Sequence, residues 1–123
     1  MELIAWYTDN NNYVACNFNE DYLGDVQMTL QQHENGIVNT LAQGDVTDYD
    51  QWGGTNLTAS IQVDYSQGSC TFNNHTINMV GSGNALTPPY SGGIGFATWN
   101  SNSNNAANNS QVVVKSIEVD RLN

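Results

Sequence analysis

The last third of the chain begins with a turn cluster and a strand, Pro88-Pro89-Tyr90-Ser91-Gly92-Gly93-Ile94-Gly95-Phe96-Ala97-Thr98-Trp99. The two prolines fix φ and the two glycines allow positive φ, which is typical of a turn. Residues 94–99 alternate large with small side chains and predict a strand with one crowded face. A polar loop follows, and the β-branched residues of 112–122 predict a closing strand rather than a helix.

Short runs of the same character fill the rest of the chain, with turn residues between them. The Asn35-Gly36 pair predicts a tight hairpin, because both central residues of a type I′ turn need positive φ. No run has a helical period. Eight or nine strands at this spacing predict a single all-β domain over 1–123 that forms a two-sheet antiparallel sandwich. Before residue 94, strands are predicted at 3–8, 13–18, 26–32, 37–42, 57–65, 69–72 and 76–80.

Alternation within these strands predicts which side chains face the core. Val26, Met28 and Leu30 share one face of the third strand. In the return strand of the hairpin, Ile37 and Leu41 are expected inward because they bury more apolar area than the alternative set. In the first strand, Leu3, Ala5 and Tyr7 are expected on one face, with Ile4 and Trp6 on the other, and Trp6 is assigned to the core.

Twelve carboxylates against Lys115 and Arg121 give the chain a formal net charge of -10. Such a surface repels phosphate backbones and anionic lipid headgroups, which argues against nucleic-acid binding and membrane insertion. The scarcity of lysine and the nineteen asparagines suggest an extracellular or cell-surface protein. The acidic first residues do not form a signal peptide, and no run is long enough for a membrane span.

Cys16 and Cys70 lie on separate predicted strands. Spacing alone leaves two alternatives open: a disulfide, or two buried thiols that behave as small hydrophobic residues. The disulfide would close a loop of about 55 residues, with a contribution of roughly 4 kcal/mol in the chain-entropy model.

The ending of a glycine pair, strand, loose loop and closing strand resembles that of laminin-G-like domains and related carbohydrate-binding modules. The Asp9-Asn10-Asn11-Asn12-Tyr13 turn between the first two strands is similar to the turn of the same family. These domains are concanavalin-A-like jelly rolls, so the resemblance implies an all-β, two-sheet antiparallel jelly-roll sandwich. Family members usually begin with further upstream strands, whereas the match here starts at Met1. That departure favours a homo-oligomer or filament in which another copy covers a sheet edge.

Catalytic patterns are absent from the sequence. Glycosidases of this fold class carry two glutamates around an aspartate on one strand, but the nearest string, Glu118-Val119-Asp120, lacks the second glutamate. No nucleophile elbow or phosphate loop occurs. We therefore expect no enzymatic activity.

Calcium is the one cofactor that the sequence suggests. Asp45, Asp48 and Asp50 share one loop and offer oxygen ligands at spacings that suit a hard cation. An ordinary acidic surface loop is the alternative. His33 and His75 lie at hairpin turns, where isolated histidines are usually solvated rather than zinc ligands.

Sugar binding is the sharper hypothesis. Exposed aromatic rings stack on the C–H faces of pyranoses, while amides and carboxylates bind the hydroxyl groups. Two groups of residues have this mixture: Tyr49, Trp52 and Asn56 in the acidic loop, and Tyr90, Trp99 and Asn100 around the glycine-rich strand. The sequence thus predicts a non-catalytic extracellular carbohydrate-binding or adhesion domain that binds a glycan or polysaccharide. The alternative is a structural cell-surface or filament subunit that assembles through exposed sheet edges.

Overall fold

The computed structural model describes residues 1–20, 25–46, 57–64, 67–79, 92–98 and 115–120. The described part is all-β and contains no helix. The strands are β1 (Glu2–Asp9), β2 (Asn12–Glu20), β3 (Val26–Glu34), β4 (Ile37–Val46), β5 (Ala59–Val63), β6 (Gly68–Phe72), β7 (His75–Asn78) and β8 (Gly93–Ala97).

Two antiparallel sheets contain these strands. The first has five strands in the order β4-β3-β2-β1-β8, and the second has three in the order β5-β6-β7. Strand β6 lies against β3, and β7 lies against β3 and β4, so the second sheet covers one face of the first as in a β-sandwich. The predicted pair of antiparallel sheets is confirmed to this level.

The core lies between β2 and β3 of one sheet and β6 of the other. Alternation in β3 is regular, and Val26, Met28 and Leu30 are buried as predicted. Cys16 and Cys70 form a disulfide that joins β2 to β6, with their Cα atoms 5.7 Å apart. The side chains that make up the buried cluster are Val14, Cys16, Phe18, Val26, Met28, Leu30, Ala42, Val46, Cys70 and Phe72.

Strand β4 differs from the sequence-based expectation. It extends to Val46, and an irregularity lies where Leu30 faces Ala42 while Gln31 faces Thr40, which leaves Leu41 as the extra residue. Ala42 and Val46 are buried, and Leu41 packs against the core as predicted. Ile37 is paired with Glu34 but is 65% exposed at the hairpin end, so the prediction that it is buried is wrong.

The closing strand is the second difference. Residues 115–120 belong to neither sheet and are exposed throughout. The prediction of a strand over 112–122 is wrong for this part, and the remainder of that range is outside the described residues.

Candidate functional site

Asp45 is the one nominated glycan-site or calcium-site residue that lies in the described part of the chain. Asp45 lies on β4, where it is exposed and faces Gln27 of β3. Among the described residues, no group of three or more histidine, cysteine, aspartate or glutamate side chains could hold a metal ion. The other nominated residues are outside the described part of the chain: Asp48, Asp50, Tyr49, Trp52, Asn56, Tyr90, Trp99 and Asn100. The glycan site and the calcium site at these residues stay predictions.

The outer face of the five-stranded sheet carries a different set of chemically useful side chains. Because Val14, Cys16 and Phe18 of β2 point into the core, Tyr13 and Asn17 point to the opposite face. Tyr13 is paired with His33 of β3, and His33 is paired with Val38 of β4. The sheet register therefore aligns residues from three strands in one row.

The rings of Tyr13 and His33 stack face to face. Their ring centroids are 4.0 Å apart and the ring planes differ by 14°, so the rings are stacked. Tyr7 of β1 extends the row, with its ring centroid 6.1 Å from that of Tyr13. At the other end, Val38 is 49% exposed. We call Tyr7, Tyr13, His33 and Val38 the aromatic row; it crosses four strands, roughly 14 Å at the usual strand spacing.

A bulge in β1 places Tyr7 in this row. Trp6 has φ of +52°, which is rare for a bulky residue, and the register with both neighbouring strands shifts next to it. Trp6 consequently packs against the core, as predicted, while Tyr7 turns outward with Tyr13. The prediction that Tyr7 shares a face with Leu3 and Ala5 is wrong because of this bulge.

Gly92 accommodates the bulged backbone. A Cβ atom at Gly92 would lie 2.5 Å from the backbone Cα and C of Trp6. A side chain at this position would force the two segments apart. The glycine pair that predicted a turn thus allows the close approach that orients Tyr7.

Two turns hold the end of the aromatic row in position. Asp9 Oδ1 accepts hydrogen bonds from the backbone N–H of Asn11 at 2.8 Å and from Asn12 Nδ2 at 3.0 Å. Asn12 Oδ1 in turn accepts a 3.0 Å hydrogen bond from the backbone N–H of Asn35. The backbone N–H of Gly36 donates to the backbone carbonyl of Asn11 at 3.1 Å. The β1–β2 turn is thereby tied to the β3–β4 turn, next to Tyr7, Tyr13 and His33.

A row of polar side chains runs beside the aromatic row. Asn17 Nδ2 donates to Gln31 Oε1 at 2.7 Å, and Asn17 also hydrogen-bonds the Glu2 carboxylate. Ala15 separates the two rows on β2 and is completely buried. We call Glu2, Asn17 and Gln31 the polar row.

Burial shifts the pKa values of three titratable groups on this face. Burial raises the pKa of Glu2, an effect opposed by the hydrogen bond from Asn17 and by the positive amino terminus. Burial also raises the pKa of Tyr13, with further contributions from the charges of Glu2 and Tyr7, and it lowers the pKa of His33. At neutral pH, His33 is therefore an uncharged imidazole, and its buried Nε2 has no hydrogen-bond partner among the described residues.

We predict that Glu2→Gln stabilises the protein at neutral pH. A carboxyl whose folded-state pKa is raised contributes stability below its unfolded-state pKa and loses that contribution as pH rises through the folded-state pKa. Glutamine keeps an acceptor for Asn17 and carries no charge to bury. Urea unfolding should show the variant more stable than the wild type at about pH 7 and equal to it at about pH 3. Equal stability at both pH values would show that the Glu2 carboxylate is as well solvated in the fold as in the unfolded chain.

Sequence reasoning missed Tyr13, His33, Asn17 and Gln31 as a group. The sequence did indicate two of the four, because alternation in β2 places Tyr13 and Asn17 on the face opposite the core residues of that strand. The pairing of Tyr13 with His33 depends on the register between strands about 20 residues apart, which the sequence alone did not supply.

This face can bind a flat, hydroxyl-rich molecule. Because the Tyr13 and His33 rings stack on each other, the pair presents ring edges to ligand C–H groups above the sheet, and the adjacent amides and carboxylate offer donors and acceptors. A scan against protein-family models and searches of curated proteins and of solved structures found no match to this chain. No helix in the described part is long and apolar enough to cross a membrane.

Proposed function

We propose that this chain is a non-catalytic carbohydrate-binding domain of jelly-roll type, extracellular or at the cell surface. The observation that carries the proposal is the stacked Tyr13–His33 pair beside the hydrogen-bonded Asn17 and Gln31 amides on one outer sheet face. The laminin-G-like resemblance of the sequence supports the same function. The net charge of -10 favours a neutral glycan over one that carries carboxylates or sulfates.

The ligand lies across the strands in this proposal. Sugar rings pack against the edges of the aromatic row, and their hydroxyl groups reach the polar row. The face is already ordered by the sheet register and by the paired turns at its end, so little conformational entropy is lost on binding. The calcium site at Asp45, Asp48 and Asp50 belongs to the same proposal, and binding is therefore measured both with calcium and with a chelator.

A panel of neutral polysaccharides, followed by calorimetry on the best ligand, tests the proposal. His33→Ala and Tyr13→Ala should each weaken binding about fivefold, since loss of an aromatic contact removes on the order of 1 kcal/mol. Tyr13→Phe should retain most of the affinity because the ring remains. The matched control is His75→Ala, which removes an exposed histidine from the other sheet.

Two results would contradict this assignment. If the folded protein binds no glycan, the proposed function is wrong. Full affinity in Tyr13→Ala, with loss of affinity in Trp52→Ala, would move the site to the loop that the sequence nominated.

The second candidate function is a structural subunit that assembles through its sheet edges. The observation that favours it is the exposure of two β-branched side chains, Ile117 at 65% and Val119 at 62%, in a segment outside both sheets. Exposed segments of strand-like sequence are ready partners for a sheet edge.

A further inference from the structure

Residues 116–120 have the sequence of a strand but not its pairing. Ile117 and Val119 alternate with Ser116, Glu118 and Asp120, which is the pattern of a half-buried strand. In the structure these residues lie outside both sheets and all are exposed. Two β-branched side chains that would share one face of a strand are thus left in water.

Strand β8 offers an edge that matches this segment. It is the outermost described strand of the five-stranded sheet, next to β1. Phe96 is paired with Leu3, which is paired with the core residue Cys16, so Phe96 and Ile94 lie on the core side of the sheet. Ile94 is nevertheless 56% exposed.

The sequence of β8 itself carries none of the side chains that usually protect an edge against pairing. Edge strands are commonly blunted by charged residues or proline, and Gly93–Ala97 contains neither. Strand β8 is five residues long, and the strand-like segment 116–120 has the same length.

We propose that residues 116–120 of one copy add to β8 of a second copy as an antiparallel strand, and that the reciprocal exchange gives a closed dimer. This inference rests on the second of the two proposed functions, assembly. In the register that we propose, Ile117 lies beside Phe96 and Val119 beside Ile94. The core side of the sheet is then extended by one apolar strand, which covers Ile94.

The polar residues of the segment fit the same register. Glu118 falls opposite Gly95 and Asp120 opposite Gly93, on the outer face, where β8 carries no charge. The carboxylates stay in solvent and meet no like charge on the adjacent strand. We choose a second copy as the partner because the segment has the length and alternation of β8 itself. Reciprocal exchange also pairs the β8 edge of both copies at once.

Solution mass tests whether the chain assembles through this segment. Light scattering should give about 27 kDa for the wild type, twice the chain mass of 13.4 kDa, and the mass should fall to that of one chain in Ile117→Lys. The matched control is Ile37→Lys, because Ile37 is equally exposed, at 65%, but lies on β4. This control should remain a dimer, and circular dichroism should show that both variants are folded.

A cross-link tests the register and remains informative if Ile117→Lys does not fold. Gly95→Cys is tolerated, since a Cβ there would lie 3.5 Å from Ile4 side-chain atoms, an ordinary contact. Mixing Gly95→Cys with Glu118→Cys under mild oxidation should give a covalent dimer, whereas Gly95→Cys mixed with Ser116→Cys should give much less.

The outcomes separate the two levels of the proposal. A single-chain mass for the wild type at high concentration would overturn both assembly and this dimer. A dimer that survives Ile117→Lys and gives no Gly95–Glu118 cross-link would leave assembly in place and overturn the exchange of residues 116–120.

Discussion

Replacing both members of the Cys16–Cys70 disulfide by alanine should lower the free energy of unfolding by about 4 kcal/mol. The bond joins residues 54 apart in sequence, and a loop of that length loses much conformational entropy when it is closed in the unfolded chain. Both cysteines are completely buried at the centre of the contact between the sheets. Since domains of this size are stable by only about 5–15 kcal/mol, the variant should be marginal.

Urea unfolding of the wild type and of the double alanine variant measures this effect. Alanine is preferred to serine because a buried hydroxyl without a partner would add its own penalty. The variant should also show a larger dependence of unfolding free energy on urea, because its unfolded chain is more expanded. A loss of less than about 1 kcal/mol would mean that residual structure in the unfolded chain already holds the two strands together.

The disulfide illustrates how far the sequence predicts this fold. Strand alternation located both cysteines on strands, but it left their pairing open because it does not say which strands meet across the core. Strand β3 was predicted well, because its alternation of apolar and polar residues has no interruption. Alternation with a period of two depends only on residues that are neighbours in the sequence. The contact between the two sheets depends on residues that are far apart in the sequence.

A bulge explains the wrong prediction about the facing of Tyr7. One extra residue in a strand reverses the direction of every side chain beyond it. Trp6 in β1 and Leu41 in β4 are such positions, and neither residue type signals a bulge. Tyr7 was consequently predicted to share a face with Leu3 and Ala5, while the structure puts it at the surface. Ile37 is paired with Glu34 on the core side of its sheet and is exposed because it lies at the hairpin end.

The candidate site depends on the same non-local information. Composition drew attention to loops rich in aspartate, tryptophan and asparagine, whereas the aromatic row is assembled from β1, β2, β3 and β4 by sheet register. His33 looked like an isolated histidine at a turn. Its place in the candidate site follows from its cross-strand partner, Tyr13, on which it stacks.

Phe72→Ala should be the most destabilising single substitution among those considered, with a loss of about 3–5 kcal/mol. Phe72 of β6 is completely buried and its ring centroid lies 5.6 Å from that of Phe18 on β2. The phenylalanines lie two residues beyond the disulfide on each strand, so the same pair of strands contacts twice in succession. Truncation removes a large apolar side chain and leaves a cavity that the disulfide-linked strands cannot easily close.

Two comparisons make the result specific. Phe72→Leu should cost much less than Phe72→Ala, because leucine keeps most of the buried volume. Ile37→Ala should change stability by no more than about 0.5 kcal/mol, although its sequence pattern placed it in the core. A double-mutant cycle with Phe18→Ala should show a coupling of about 0.5–1.5 kcal/mol between the rings. If Ile37→Ala instead proved as costly as Phe72→Ala, the hairpin end of β4 would be covered in solution, and the core would not be centred on β2 and β6.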